Sequence, residues 1–464
     1  MFETPRDYVE EVSANLERLT MTKPKIHLLN EQQNIPKEKS LLRLPLLNAE
    51  QQAVLQEVKD GKNVFITGPG GVGKTFLIHE IKRQLEADGK KVSITSLTGM
   101  AALLIGEKAR TIHSWSGVGI GTRSVDDMFN FIRKCQPKTR DAWRTTSTLI
   151  IDEISMMSDV LFEKIDELGR LLRWKRDKPF GGIQIICLGD FYQLPPIQTK
   201  FVFESKLWDT CIDTIVVLDT IYRQKDPVFQ KILNEIRIGN VSDETDAILK
   251  SRLNIDFSQQ TIQPTKVFTR REMVDSVNNE GLNRLITPMN MYSIKTKGKA
   301  NTDAIRSAIK KQDSSAQYVE MLMLKVGAQV MLITNIDQDA GLVNGKVGIV
   351  TECKPTCVVV QFNGHDYSTE ILYHEWTLEG YENVSRCQVP LVLAYAITTH
   401  KSQGATLESA YIDVGRSVFE YGQAYVALSR VKALESLYLH DYDRSAIRAH
   451  PTVVEYYKSL ESIE

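Results

Sequence analysis

One eight-residue motif constrains the fold of this chain more than any other feature. Gly68-Pro69-Gly70-Gly71-Val72-Gly73-Lys74-Thr75 follows an apolar run, Val64–Thr67, and precedes an amphipathic segment at 75–87. Glycines at these spacings let consecutive backbone N–H groups turn toward a bound anion, and the following helix adds the positive end of its dipole. Lys74 would supply a cation for the terminal phosphates, and Thr75 a hydroxyl ligand for Mg²⁺. This P-loop, residues 68–75, predicts a strand–loop–helix unit that binds ATP.

A second apolar run ends in two acids. Leu149-Ile150-Ile151 precedes Asp152 and Glu153, which places both carboxylates at the carboxyl end of a predicted buried strand. Next to a P-loop, Asp152 suits a Mg²⁺ ligand, and Glu153 can polarise the attacking water. Alone, such a run is more often just the end of a strand. Together the two motifs predict an NTPase, although motors, switches, clamp loaders and kinases all share them.

Strand-like and helix-like patterns alternate along the chain and predict an α/β fold. Apolar runs typical of buried strands occupy Val64–Thr67, Val92–Ser96, 149–152 and 183–189, and a helical repeat occupies 159–173. Such alternation favours mostly parallel sheets covered by helices. A second block of the same kind is expected from residue 209, with strands at 215–218, 393–397 and 410–413.

A β-rich stretch interrupts the second block. Alternating segments at 329–333, 348–352 and 358–362 are separated by the turn signals Asn344-Gly345 and Asn363-Gly364, which predicts a small inserted β-barrel. The expected boundaries are an N-terminal arm or linker over 1–45, a first domain over 46–208, a second domain over 209–290 and 386–464, and an insertion over 291–385.

Composition narrows the class of protein. The chain has 464 residues, of which 42% are hydrophobic and 25% charged, a profile typical of a globular protein with two to four domains. Its net charge is −1, so any nucleic-acid contact needs a local basic channel. No apolar run is long enough to cross a membrane and the N-terminus does not resemble a signal peptide, so an intracellular location is expected, in a compartment that the sequence does not identify. The six cysteines do not form a zinc pattern and are expected to be free thiols.

Further motifs occur in a fixed order on either side of the two described above. They lie at 47–51, 98–102, 111–115, 152–156, 159–173, 189–196, 222–224, 399–404 and 425–430. This ordered set resembles that of the Pif1-type DNA helicases of superfamily 1B, which are kin to the RecD-type helicases, and it runs from Leu47 to about Leu439. The resemblance implies two RecA-like parallel-sheet domains, the first with a small strand-separating wedge near 117–144 and the second with an inserted SH3-like β-barrel.

The resemblance also implies a function. The implied protein moves 5′-to-3′ along single-stranded DNA and unwinds forked or tailed duplexes, using ATP and Mg²⁺. It acts as a monomer and does not associate with a membrane. Two alternatives stay open: a DNA-stimulated translocase that remodels protein–DNA complexes without separating strands, and a nucleotide-operated DNA-binding subunit of a larger assembly.

Roles for individual side chains follow from the same resemblance. Gln51 would recognise adenine, although a solvated helix residue is the simpler interpretation. Gln193 would sense the γ-phosphate. Arg223 and Arg430, far along the chain from Lys74, would reach across a cleft to the phosphates, so that hydrolysis depends on domain closure; their alternative is a surface salt bridge. Gln51 thus joins the P-loop in binding ATP. The expected catalytic set is Lys74, Glu153, Gln193, Arg223 and Arg430.

Contacts with single-stranded DNA are expected where hydroxyl, amide and aromatic side chains cluster in loops, because these groups suit phosphate oxygens and base faces. The expected residues are Thr98, Gly99, His113, Ser114, Trp115, Tyr192, Thr399, His400, Lys401 and Ser402. Core packing is an equal alternative for Trp115 and Phe191 and a weaker one for Tyr192. The lysine-rich stretch at 291–311 is equally consistent with a solvated loop and with contact to displaced DNA.

Overall fold

The structure is a computed structural model, and it describes residues 47–461 apart from 107–108, 120, 122, 258, 338–339, 379–380 and 404. The predicted arm over residues 1–45 lies outside the described residues. The described helices are α1 (Ala49–Lys59), α2 (Lys74–Ala87), α3 (Gly99–Ile105), α4 (Ile112–Ser116), α5 (Val125–Cys135), α6 (Pro137–Thr145), α7 (Asp159–Leu172), α8 (Lys206–Cys211), α9 (Pro227–Ile238), α10 (Asp243–Ser251), α11 (Arg271–Asn283), α12 (Asp303–Ser315), α13 (Thr399–Ser402), α14 (Gln423–Leu428) and α15 (Pro451–Glu461).

The strands form five sheets. They are β1 (Val64–Thr67), β2 (Val92–Ser96), β3 (Arg110–Thr111), β4 (Thr148–Asp152), β5 (Gln184–Leu188), β6 (Thr214–Val217), β7 (Thr265–Phe268), β8 (Asn290–Ser293), β9 (Lys295–Lys297), β10 (Met321–Leu324), β11 (Gln329–Leu332), β12 (Val347–Cys353), β13 (Cys357–Phe362), β14 (Ser368–Leu372), β15 (His374–Leu378), β16 (Tyr381–Gln388), β17 (Leu391–Leu393), β18 (Ala396–Thr398), β19 (Ala410–Val414) and β20 (Leu437–Tyr442).

The first domain is built on a six-stranded parallel sheet in the order β3-β2-β4-β5-β1-β6. Its central strands are buried along their whole length, as β1 and β4 show. Continuous apolar runs are typical of parallel strands that are covered on both faces. The predicted α/β fold is therefore confirmed, and β1 and β2 have the predicted bounds.

Two segments assigned from sequence to the second domain belong to the first. Strand β6 pairs in parallel with β1, placing Thr214 opposite Val64, so the predicted boundary at residue 208 is wrong. Helix α15 also packs into the first domain, where Val453 and Tyr457 join its core. Apolar and β-branched residues identify such elements but do not specify which sheet or core they complete.

The second domain has a four-stranded parallel sheet in the order β18-β7-β19-β20. The strand predicted at 410–413 is confirmed as β19. The strand predicted at 393–397 is wrong as a single element, because it divides into β17, which pairs with β11 of the insertion, and β18, which pairs with β7. The insertion thus reaches residue 393 instead of 385.

The inserted region is β-rich, as predicted. Five antiparallel strands lie in the order β14-β13-β12-β11-β17, joined by two smaller groups, β10-β8 and β15-β16-β9. Val350 of β12 and Val358, Val360 and Phe362 of β13 point into the core of the insertion, with more exposed residues between them, which is the pattern of a half-buried antiparallel pair. Strands β14 and β17 lie at the two edges of this sheet and do not pair with each other. Closure of the sheet into an SH3-like barrel therefore stays a prediction.

The predicted wedge region forms two helices, α5 and α6. Met128, Ile132 and Trp143 anchor them in the first domain's core. Ser124 starts α5 by accepting a hydrogen bond from the Asp127 backbone, and Pro137 starts α6. Across the described part of the chain, none of the helices combines the length and apolar character that a membrane span requires.

Candidate nucleotide site and nucleic-acid cleft

The P-loop connects β1 to α2, as predicted, and the chain that joins the two domains lies directly over it. A Cβ atom on Gly68 would lie 2.2 Å from the Leu218 carbonyl oxygen, and one on Gly71 would lie 2.6 Å from Cβ of Arg223. Both glycines have positive φ, 138° and 96°. Glycine is therefore required at both positions, and the loop is held against the residues that lead into the second domain.

Lys74 is folded back onto its own loop. Its Nζ donates to the carbonyl oxygens of Gly68 at 2.7 Å and Pro69 at 3.0 Å. Burial lowers the pKa of Lys74, and the carboxylates of Asp190 and Glu153 oppose that shift. The ammonium group thus occupies a dry site in which phosphate oxygens could replace the two carbonyls.

Two acids lie at the carboxyl end of β4, beside the P-loop. Asp152 is buried, and this burial, followed by repulsion from Glu153, raises its pKa to about 7. Glu153 has a φ of 55°, a left-handed conformation that is strained for a residue with a side chain. Gln403 of the second domain donates to Glu153 Oε2 at 3.1 Å. A divalent cation bound to Asp152 would favour the ionised form of this carboxyl group. Asp152 therefore suits the role of a Mg²⁺ ligand.

The second domain contributes two arginines to the same place. Arg223 donates to the Ser429 carbonyl oxygen at 3.3 Å, and Arg430 donates to the Val426 carbonyl oxygen and to Ser429 Oγ. Burial, and then the charge of Arg223, lower the pKa of Arg430 to about 9. Within the described chain, neither guanidinium forms an ion pair with a carboxylate. Arg430 is buried and Arg223 half-buried, and the charge of Glu153 acts on both without a direct ion pair. Two neighbouring like charges held in this way are costly, which points to an anionic ligand.

Tyr425 completes the contact between the domains, and its role was not predicted from sequence. Its hydroxyl accepts a hydrogen bond from the Gly70 backbone N–H at 2.8 Å. Burial raises the pKa of Tyr425 to about 12, so the phenol stays neutral. A P-loop amide that would face a phosphate is thus bonded to a side chain of the opposite domain.

Gln51 and Tyr222 mark the other end of the P-loop. A Cβ atom on Gly73 would lie 3.1 Å from Gln51 Nε2 and 3.7 Å from the Tyr222 ring. Gln51 is buried, and its side-chain oxygen accepts from the Asn48 backbone in a capping box. The structure therefore places Gln51 beside the P-loop, as its predicted adenine contact requires. It also brings in Tyr222, a half-exposed ring that was missed as a site residue.

The loop that carries Gln193 is anchored by a buried ion pair. Asp190 accepts hydrogen bonds from Arg237 Nε and Nη2, both at 2.9 Å, and the Asp190 carbonyl accepts from the Gln193 backbone. The ring of Tyr192 stacks on Tyr457 at 4.8 Å, with the Arg237 guanidinium over both rings. The predicted stacking of Tyr192 on DNA is therefore wrong in this structure, because the residue is only 7% exposed and is part of the first domain's core.

Trp115 is also part of the core. It is buried, and its ring lies 4.6 Å from that of Trp143. Phe191 is buried among Phe65, Phe203 and Trp208. Core packing is thus the correct alternative for both residues, and the prediction that Trp115 contacts DNA is wrong.

A cleft of about 2000 Å³ separates the first domain from the insertion. Three of the predicted DNA contacts line it, Gly99, His113 and Ser114. Thr98 is not in the lining, since its hydroxyl caps α3 by accepting from the Ala101 backbone. The predicted wedge region contributes Arg123 and Phe131 to the walls, and the lysine-rich stretch contributes Lys299. The sequence analysis missed three further lining residues of the insertion, Asn335, Trp376 and Tyr381.

The predicted DNA contacts of the second domain divide into two groups. Thr399 and Ser402 are buried, and their hydroxyls donate to the carbonyl oxygens of Phe268 and Thr399. The prediction that these two hydroxyls contact DNA is therefore wrong in this structure. Lys401 is exposed and stays a candidate, whereas the His400 side chain lies outside what the structure describes.

Comparison with known proteins gives consistent matches. The family described as PIF1-like helicase matches residues 46–247, and the family described as DNA helicase Pif1, 2B domain, matches residues 317–353. The ATP-dependent DNA helicase PIF1 of Xenopus laevis is 37% identical over 440 residues, covering 92% of this chain and 67% of the relative.

Two solved structures are similar over nearly their whole length. The Pif1 helicase from Candida albicans is 35% identical with a TM-score of 0.74, covering 89% of this chain and 99% of that one. The Pif1 helicase from Bacteroides in complex with ADP-AlF3 and ssDNA is 29% identical with a TM-score of 0.65, covering 90% and 98%. The chain spans about two thirds of the length of the curated vertebrate relatives, 67%, 66% and 64% for the first three.

Proposed function

This chain belongs to the PIF1-like helicase family, and from that premise we propose that it is an ATP-dependent DNA helicase that moves 5′-to-3′ on single-stranded DNA. The DNA partners follow from the relatives, one of which was solved with single-stranded DNA. Action as a monomer and an intracellular location stay predictions.

One observation carries the proposal. The Arg430 guanidinium is buried and that of Arg223 is half-buried beside the P-loop of the first domain, and within the described residues neither forms an ion pair with a carboxylate. A γ-phosphate bound between them and Lys74 would supply the missing anion. Nucleotide binding would then draw the domains together, and loss of phosphate would release them, which is how hydrolysis is converted into stepping.

Each remaining residue has a role in that cycle. Lys74 and the P-loop amides bind the phosphates, and Gln51 and Tyr222 lie where adenine would be held. Glu153 orients the attacking water and accepts its proton, while Gln193 lies on the loop fixed by Asp190.

Mg²⁺ belongs to the proposal as well. Thr75 and Asp152 would hold it, together with phosphate oxygens, and when bound it neutralises charge that develops on those oxygens. Mg²⁺ is commonly bound by one or two protein groups together with substrate phosphates and water, which this pair of residues suits.

The cleft between the first domain and the insertion is the proposed path of the strand. His113, Ser114 and Lys299 line it, and these groups suit a phosphate backbone. The wedge region, α5 and α6, contributes Phe131 and Lys138 to the walls of this cleft, and we assign to it the splitting of the duplex. The second candidate function, translocation without strand separation, would use the same cleft. Measuring strand release distinguishes the two functions.

The test is ATP-dependent unwinding of tailed duplexes that differ only in the polarity of the single-stranded tail. We expect strand release from the 5′-tailed duplex and little from the 3′-tailed one. Lys74→Ala should abolish release and ATP turnover while binding of the single strand is retained. Turnover without strand release on either substrate would favour the translocase, and normal turnover by Lys74→Ala would refute the role given to the P-loop.

A further inference from the structure

The exposed tryptophan at the end of α7 occupies a position at which glycine is usual. The helix closes in a Schellman motif: the N–H of Lys175 donates to the Arg170 carbonyl at 3.1 Å, and that of Trp174 to the Leu171 carbonyl at 3.4 Å. Trp174 is the left-handed residue of this motif, with a φ of 59°. A bulky side chain is strained in that conformation, and glycine is not. Trp174 therefore destabilises the end of this helix relative to glycine. Its presence there points to a role in binding and not in folding.

The loop that presents Trp174 is rigid. The Arg170 guanidinium donates to the Arg176 carbonyl oxygen at 2.8 Å, and Arg173 Nε donates to the Gly181 carbonyl oxygen at 2.8 Å. The Asp166 carboxylate accepts from the Phe180 backbone and pairs with Arg170. Despite these restraints, the Trp174 side chain is left 69% exposed. The loop that carries the exposed ring is therefore already ordered. A ligand that binds the ring would lose little free energy to further ordering of this loop.

Three exposed cations follow Trp174 within four residues of the chain. Lys175, Arg176 and Lys178 of the loop are exposed, and none of them forms an ion pair within the described part of the chain. Arg144 and Lys91 border the loop, since Arg173 donates to the Arg144 carbonyl and Lys91 donates to Thr145 Oγ1. The acid within the loop is Asp177. An aromatic face beside several free cations suits stacked bases and their phosphates.

This surface lies at the end of the first sheet opposite the nucleotide site. The loop leads into the amino end of β5, Arg144 precedes β4 and Lys91 precedes β2, whereas the P-loop and Asp152 follow the carboxyl ends of parallel strands in the same sheet. We propose that Trp174, with Lys175, Arg176 and Lys178, forms a second binding site for single-stranded nucleic acid, at the sheet edge opposite the nucleotide site. Such a site would hold a strand that has already left the cleft or has not yet entered it.

The fluorescence of Trp174 allows a direct test. The chain has five tryptophans, and the other four, Trp115, Trp143, Trp208 and Trp376, are at most 4% exposed. Acrylamide quenching of the full chain should therefore report on Trp174. We expect an oligothymidine, added beyond the amount that fills the cleft, to lower the quenching constant by about two-fold or more, and high salt to reverse that protection.

Two variants separate binding from folding. Trp174→Gly should remove the quenchable signal yet melt at the same or a higher temperature, because glycine suits the left-handed position. Lys175→Glu with Arg176→Glu should keep the signal but lose the protection by oligothymidine. Protection that persists in this double variant, or its absence in the unaltered chain, would overturn the proposal. Protection by poly-L-glutamate but not by oligothymidine would also overturn it and assign the surface to an acidic protein.

The proposal is independent of hydrolysis. Lys74→Ala should show the same protection of Trp174, because the measurement uses no ATP and the two sites lie at opposite sheet edges. Failure of the helicase function would leave this result unchanged.

Discussion

Removing the Arg237 guanidinium should destabilise the contact between the two domains more than any surface charge deletion. The Asp190 side chain is 0% exposed and that of Arg237 is 14% exposed, with two hydrogen bonds of 2.9 Å between them. Arg237→Ala would leave a buried carboxylate without a partner, which costs about 3–5 kcal/mol in other proteins. Loss of the cation–π contacts with Tyr192 and Tyr457 adds to this cost.

The assay is urea unfolding, with Arg83→Ala as the matched control. Arg83 pairs with Glu80 at 2.6 Å, but its side chain is 54% exposed, so its removal should lower the free energy of unfolding far less than removal of Arg237 does. Arg237→Ala should also slow ATP turnover, because Asp190 holds the loop that carries Gln193. If Arg237→Ala lowers the free energy of unfolding no more than Arg83→Ala does, the ion pair does not hold the domains as described.

Further predictions address the nucleotide site. Tyr425→Phe frees the Gly70 amide and should tighten ADP binding by about 2- to 10-fold, as measured by calorimetry. The control variant Tyr421→Phe should leave ADP affinity unchanged. If Tyr425→Phe binds ADP no more tightly than the unaltered chain, Tyr425 does not compete with the nucleotide. Folding raises the pKa of Asp152 from an unfolded value of about 4 to about 7, so its contribution to stability is present at low pH and lost as the pH rises to 7. In metal-free buffer the urea midpoint of the unaltered chain should therefore fall relative to that of Asp152→Asn as the pH rises from about 4 to 7, and parallel curves would contradict the burial of this acid.

Local sequence patterns predict the nucleotide-binding half of the site because its parts are contiguous. The P-loop follows β1 and precedes α2 directly, and the acids at 152 and 153 follow the apolar run of β4, so each motif carries its own structural context. The bounds of β1 follow for the same reason, since a continuous apolar run marks a strand that is covered on both faces. Strand β2 is recognised instead by its β-branched residues Val92, Ile94 and Thr95.

The part of the site that the second domain contributes depends on contacts between residues far apart in the sequence. Tyr425 reaches Gly70 and Gln403 reaches Glu153 across more than two hundred residues, and neither pairing leaves a local signal. Burial misleads in the same way for aromatic residues. Trp115 and Tyr192 suit base stacking by composition, but Trp143 and Tyr457 cover them in the fold.

The measurement that tests the central claim most directly compares nucleotide binding with hydrolysis in Arg430→Ala. If a phosphate is gripped from both domains, this variant should bind a fluorescent ATP analogue within a few-fold of the unaltered chain but hydrolyse ATP about 10³-fold more slowly, with single-stranded DNA present in both assays. Hydrolysis at the unaltered rate would mean that the guanidinium does not meet the γ-phosphate. The two domains would then not be coupled through the nucleotide.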